Sequence, residues 1–246
     1  MPDFLPGVPR EHVLARLEAS PGNELGSGKF DSPESSAALA VNCFGWFVER
    51  PATLPLIPGL EDVVWPPASV EVEDSLRFPW SGGRHPWLDA SITTASHLIG
   101  VESKRCEPFR RGKVIGELSE AYWRDVWGSD MQRWTKLRDR LQAGDIRFVR
   151  LDAVQLVKHA LGIFTQANKR GRLSALLYIF AEPTKVGGRQ ISAIEHEAHR
   201  AEIASLGDMV CGDAIQFAAI SYRGWIATWP GSVMEHGQRV LDRFNP

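Results

Sequence analysis

Two short segments constrain this chain more than any other part of it: Trp87-Leu88-Asp89 and, thirteen residues beyond the aspartate, Glu102-Ser103-Lys104. Residues 86–92 (Pro-Trp-Leu-Asp-Ala-Ser-Ile) alternate as a half-buried strand. Residues 97–104 (His-Leu-Ile-Gly-Val-Glu-Ser-Lys) do the same, and Thr93 to Ser96 supply a short connection. Strand side chains alternate with period 2, so Glu102 and Lys104 share one face while Ile99, Val101 and Ser103 take the other. Pairing the two strands as a hairpin brings Asp89 beside Glu102, which sets two carboxylates and an ammonium at one point of a sheet. Each carboxylate raises the other's pKa unless a cation joins them.

Mg²⁺ suits such a place, because it takes hard oxygen ligands and binds through one or two carboxylates together with waters and phosphate oxygens. Mn²⁺ fits the same oxygen donors. The carbonyl of Ser103 offers a further oxygen, and Lys104 offers a charge beside an attacking water or a phosphate. Metal-dependent hydrolysis of a phosphodiester is therefore the first candidate chemistry. The competing reading of the same residues is an ordinary charged hairpin with no chemistry.

Asp89 and Glu102-Ser103-Lys104 resemble the PD-(D/E)xK nuclease superfamily, whose metal-binding hairpin carries an acid at the end of one strand and Asp/Glu-x-Lys on the next. The second element matches in full and is this chain's only Glu-x-Lys or Asp-x-Lys. The first departs: Leu88 precedes Asp89 where the pattern has proline, and Pro86 stands three positions upstream. The resemblance implies an α/β fold with the restriction-endonuclease-like α-β-β-β-α-β core, a mixed central sheet flanked by helices. It implies a metal-dependent nuclease acting on nucleic acid, DNA first, with Asp89, Glu102 and Ser103 on Mg²⁺ (or Mn²⁺) and Lys104 serving the attacking water. A non-catalytic nucleic-acid-binding or scaffold protein on the same fold is the alternative, although a degenerate member would be expected to lose one of the three side chains. The oligomeric state stays open, with a homodimer among the arrangements that fit.

The coarse element order agrees. Residues 1–30 read as an N-terminal extension in which Pro- and Gly-rich segments flank a short helix near 9–19, and residues 31–246 read as the nuclease domain. Asp31 or Ser32 caps a helix running to about Glu49, with Pro33 in its first turn. A proline-studded connection leads to a strand over 70–78, a Gly-rich turn at 81–83 and the hairpin. A polar, Trp-bearing helix over 118–142 reads as an insertion. A second apolar-faced helix over 151–166 leads into the continuous apolar strand 173–180, whose composition suits a sheet covered on both faces. Another helix over about 190–206 precedes strands at 214–222 and 225–229.

Other side chains support the site. Glu34, in the first turn of the 33–49 helix, takes the place of the acid that such nucleases often carry on their first core helix; the helix dipole alone also favours an acid there. Arg105, Arg110, Arg111 and Lys113 follow Lys104 closely in a chain of net charge −2. A local basic loop of this kind is what phosphodiester backbones need, and a solvated loop is the plain alternative. On the 151–166 helix, Gln155, Lys158 and His159 lie on neighbouring turns of the polar side. In the resembled superfamily this helix often lends a Gln or Lys to the site or the phosphate.

Several motifs lead nowhere. In Gly22-Asn-Glu-Leu-Gly-Ser-Gly-Lys29 one residue too many separates Gly22 from Gly28-Lys29, and Phe30 stands where a P-loop needs Ser or Thr. His196-Glu-Ala-His199 lacks the zincin spacing and a third ligand. Trp123, Trp127 and Trp134 at helical spacing read as core rather than as a base-stacking platform. Cys43, Cys106 and Cys211 are odd in number and widely spaced, which points to a reducing compartment. With no signal pattern and no membrane-length apolar run, the expected location is the cytoplasm.

Overall fold

A computed structural model describes residues 2–78, 85–112 and 117–246. Helices α1 (Arg10–Ala19) and α2 (Ser36–Phe44) precede strands β1 (Ser69–Ser75), β2 (Trp87–Thr93) and β3 (His97–Lys104). Then come α3 (Gln132–Ala143), α4 (Ala153–Lys169) and β4 (Leu173–Phe180). A small hairpin, β5 (Lys185–Val186) with β6 (Arg189–Gln190), leads to α5 (Ala193–Val210) and β7 (Ile215–Ser221). Helices α6 (Tyr222–Ile226) and α7 (Gly231–Phe244) close the chain. The five-stranded sheet has the order β1-β2-β3-β4-β7. It is mixed: β1, β2 and β3 form an antiparallel meander, while β3, β4 and β7 run parallel.

Both faces of the sheet are covered, and β4 shows why its sequence is apolar throughout. Ala175, Leu177 and Ile179 enter one core with α1, α2, α6 and α7, whereas Leu176, Tyr178 and Phe180 enter another with α3, α4 and α5. Alternate side chains thus point into different layers, and burying each of the larger ones stabilises the fold by roughly 1.5–3 kcal/mol. The hairpin falls where its alternation places it, with Ala90 opposite Val101 and Ile92 opposite Ile99. The strand expected over 70–78 is β1, and that expected over 173–180 is β4.

Capping fixes where the flanking helices begin. Ser35, not Asp31 or Ser32, accepts from the Ala38 N–H at 3.0 Å, so α2 starts at Ser36 and Glu34 precedes its cap. Asp152 accepts from the Gln155 N–H at 3.0 Å and sets the start of α4. Helix α4 lies directly on β3. A side chain at Gly100 would collide with Ile163 of α4 and Leu88 of β2, so glycine is what lets the helix approach.

Two expectations need correction. Residues 118–142 are not one helix: 3-10 turns at Glu120–Trp123 and Ser129–Met131 precede α3, and the chain turns at Gly128 with φ 61°. Residues 225–229 are not a strand, because Trp225, Ile226 and Trp229 share a helical spacing and bury together around α6. Helix α7 follows, unread in the sequence, and buries Val233, His236, Gly237, Val240 and Phe244. Within the segment read as an extension, Leu5, Val8, Val13, Leu17 and Phe30 join the core beneath β1. The Gly-rich turn at 81–83 and Lys113 lie outside the described residues. Among the described residues no helix is long and apolar enough to cross a membrane.

Candidate active site

The hairpin register puts Asp89 one step beyond the Ala90–Val101 pair, level with Glu102. Asp89 bends over the ladder and accepts from the Ser103 N–H at 2.7 Å. Glu102 is fully buried. The Lys104 ammonium donates to one of its carboxylate oxygens and also to Gln155 Oε1 at 3.0 Å. His159 Nδ1 lies 3.0 Å from the other oxygen, off the line of an ideal hydrogen bond. Gln155 and His159 are one helical turn apart on α4, so the packing of α4 on β3 places both against the carboxylate. On the far side, Ser103 Oγ and the Tyr222 hydroxyl are 2.7 Å apart, which joins β3 to the start of α6.

These contacts give the two carboxylates opposite characters. Burial alone would raise the pKa of Glu102, but Lys104 and His159 outweigh it and hold the group ionised well below the usual carboxylate range. Asp89 is pushed well above its ordinary value by burial and then by the neighbouring Glu102 charge, with Lys104 and the Ser103 N–H offsetting only part of this. Burial would lower Lys104, yet Glu102, Glu107 and Asp89 together raise it above the ordinary lysine range. Lys104 is therefore a fixed cation at neutral pH. Asp89 is the carboxyl group of the cluster that no side-chain cation contacts directly among the described residues.

Asp89, Glu102, Ser103 and Lys104 are thus brought together, as the hairpin spacing leads one to expect, and Gln155 joins them from α4, where the resemblance placed it. Glu34 is not brought there. Its carboxylate accepts from the Gly187 N–H and from Arg110 at 3.2 Å, tying the approach to α2 to the β5–β6 turn. Arg105 is turned inward: its guanidinium donates to the Phe244 carbonyl and lies over the Phe244 ring, so it does not face solvent with the rest of the basic loop. Arg110 and Arg111 are exposed, and Lys158 is half-buried on α4. Trp127 and Trp134 are core residues, while Trp123 stays partly exposed beneath the Arg138 guanidinium. His199 is buried, 2.9 Å from the Tyr178 hydroxyl, and so serves packing.

Two acids of the site, Glu107 and Glu73, are not read from the sequence, and His159 is read there only as part of the polar side of its helix. His159 was legible, since it stands four residues after Gln155 on the same face. Glu107 lay hidden among arginines; it accepts from Ser36 Oγ at 2.5 Å and from the Arg105 N–H at 2.8 Å, and its charge reaches Lys104. Glu73 falls opposite Asp89, between the register pairs Val72–Ala90 and Asp74–Leu88. It is buried with φ at 48°, a backbone conformation that side chains other than Gly, Asn and Asp rarely adopt. Arg16 of α1 holds that turn of backbone by donating to the Val72 and Glu73 carbonyls at 3.0 and 2.7 Å. Burial and the nearby Glu24 raise the Glu73 pKa to about 7. Among the described residues no three His, Cys, Asp or Glu side chains converge as a ligand set for a metal, so any ion here would draw on main-chain oxygen and water as well.

A helix, an antiparallel meander of three strands, a crossover helix and a parallel strand, with the acid–lysine group at the end of the meander, define a restriction-endonuclease-like protein. The chain belongs to the REase-ARP family, described as Restriction Endonuclease associating with ARP, whose model matches residues 6–234. No curated protein and no solved structure matches it.

Proposed function

We propose that the chain is a metal-dependent nuclease of the PD-(D/E)xK type, hydrolysing phosphodiester bonds in nucleic acid, DNA in the first place. The observation that supports this most is the linked group itself: Asp89 beside an ionised Glu102, with Lys104 fixed between Glu102 and Gln155. The residues fit a hard divalent cation. Asp89, Glu102 and the Ser103 carbonyl would hold Mg²⁺ or Mn²⁺, and Asp89 supplies a carboxylate without a cation of its own. When bound, the ion lowers the pKa of water and polarises the phosphate.

The protein's own part is positional and electrostatic. Lys104, held as an ammonium, lies where it donates to a non-bridging phosphate oxygen or to the attacking water, and it offsets the charge that builds on the phosphorane. Because it stays protonated, it orients the nucleophile rather than taking its proton. Gln155 fixes the ammonium in direction, and His159 fixes the Glu102 carboxylate. The Ser103 N–H keeps the Asp89 carboxylate beside Glu102.

The test is cleavage of plasmid, linear duplex and single-stranded DNA, with and without Mg²⁺, by the wild type, Asp89→Ala and Lys104→Ala. Metal-dependent cleavage that drops at least about 100-fold in both variants supports the assignment. Cleavage unchanged in the variants, or DNA binding with no cleavage of any substrate, would overturn it.

A further inference from the structure

Beside the acid–lysine group, five arginines meet around one open cleft of about 590 Å³. They come from three segments that all continue from the end of the sheet where Lys104 lies. Arg110 and Arg111 follow β3, Arg147 and Arg150 precede α4, and Arg189 lies on β6 after β4. Among the described residues the only acid lining the cleft is Glu195. It accepts from Arg189 at 3.0 Å and from Arg150 at 3.4 Å, so one carboxylate serves two guanidiniums. Both of those side chains are also tied to the β3 loop. Arg189 donates to the Phe109 carbonyl at 2.8 Å, and the Arg150 guanidinium lies 5.7 Å from the centre of the Phe109 ring. Arg110 meets Glu34. Arg111 and Arg147 are exposed and pair with no carboxylate among the described residues.

Guanidiniums brought this close repel one another, and a chain of net charge −2 has carboxylates to spare for neutralising them. Here Glu34 and Glu195 serve Arg110, Arg150 and Arg189, and among the described residues no carboxylate serves Arg111 or Arg147. Arg111 and Arg147, planar donors with no carboxylate partner among the described residues, suit a ligand with several bidentate anionic groups along its length. Resting on the nuclease reading of the neighbouring site, we propose that this cleft is a phosphate-binding subsite for the nucleic-acid strand that leads away from the scissile bond. Arg111 and Arg147 take the backbone phosphates, and Arg150 and Arg189 are the braced wall behind them. Contacts of this kind fix the register of the strand on the protein without reading its sequence.

The experiment measures binding of a fluorescein-labelled 20-nucleotide DNA, as single strand and as duplex, to the full chain without divalent ions. It compares the wild type with Arg111→Ala/Arg147→Ala over a range of NaCl concentrations. Both arginines are exposed, so the double variant should keep its circular dichroism and melting temperature. The proposal expects affinity about tenfold weaker at 0.1 M salt, and a log K against log [salt] slope shallower by about 1.5–2, the signature of two lost phosphate contacts. An unchanged slope and affinity would overturn it. Displacement of the DNA by sub-millimolar sodium phosphate at constant ionic strength would also overturn it, because the cleft would then be a pocket for a free anion. Cleavage with Mg²⁺ is scored on the same preparations. The expected slope change without cleavage by either protein would keep the subsite and remove the hydrolytic reading. Wild-type cleavage with unchanged binding in the double variant would do the reverse.

Discussion

Glu102 is fully buried and yet ionised, and the two partners that make this tolerable differ in kind. Lys104 lies against it as a fixed cation, while His159, buried on α4, adds a second favourable contact and keeps the carboxylate pointing one way. His159→Ala should therefore raise the Mg²⁺ concentration needed for half-maximal cleavage at least about threefold, with His159→Gln recovering part of it, because a ligand freed to turn binds metal less well. Metal titration of cleavage checks this; an unchanged metal requirement with only a lower melting temperature would reduce His159 to packing. His236 tests electrostatics away from the site. It is buried against Trp46 and Trp229, with Nε2 3.2 Å from the Cys43 carbonyl, and burial lowers its pKa to about 4 from an ordinary 6.5. The unfolded chain takes up that proton near pH 6.5 and the folded chain only near pH 4. Stability is therefore complete above the first value and falls as pH drops through the window, by up to about 3 kcal/mol. Chemical denaturation across pH 4–7 should show this slope, and His236→Gln should flatten it. Glu73 has the opposite sign: its pKa is raised to about 7, so its favourable contribution is present at low pH and is lost as pH rises through that value. Glu73→Gln should raise the melting temperature at pH 8 by about 2–4 °C for each ~1 kcal/mol recovered.

The β2–β3 hairpin and α4 act as one unit, and Gly100 is the joint between them. Gly100→Ala forces the new methyl group against Ile163 and Leu88. It should cost about 1–3 kcal/mol of stability and also lower cleavage, since α4 carries Gln155 and His159. Equal stability with unchanged cleavage would show that α4 has slack to yield. The elements of this unit were legible for a simple reason: strand alternation over 86–104 and the apolar face of 151–166 are local signals that tertiary packing agrees with. The helices around α3 and α6 were not. Gly128 breaks what looks like a continuous polar helix, and Trp225, Ile226 and Trp229 form too short an apolar run for its period to declare itself. The same contrast holds in the site. Asp89, Glu102 and Lys104 lie within one hairpin and could be read from spacing. Glu73 and Glu107 could not, because β1 pairing and the fold of the basic loop bring them in from elsewhere.

Across the molecule, the two helical layers do separate jobs. The α3–α4–α5 layer brings Gln155 and His159 to the acid–lysine group, whereas α1, α2, α6 and α7 back the sheet from behind. Tyr222 meets Ser103 between Glu102 and Lys104, and the Phe244 carbonyl receives Arg105 from the next residue along. The last helix thus anchors the strand that bears the site. Removing residues 231–246 would strip Val233, Val240 and Phe244 from the core, a loss of more than about 5 kcal/mol, so no cooperative melting transition should remain. What the layers converge on is a pair of carboxylates that the proposed mechanism joins through a divalent cation. The measurement that tests this most directly is Mn²⁺ binding followed by electron paramagnetic resonance in the wild type and in Asp89→Ala. A bound-ion signal in the wild type that is lost in a variant with unchanged circular dichroism is the expected result. Equal binding by the two proteins would contradict the account, because the ion would then be held somewhere other than between Asp89 and Glu102.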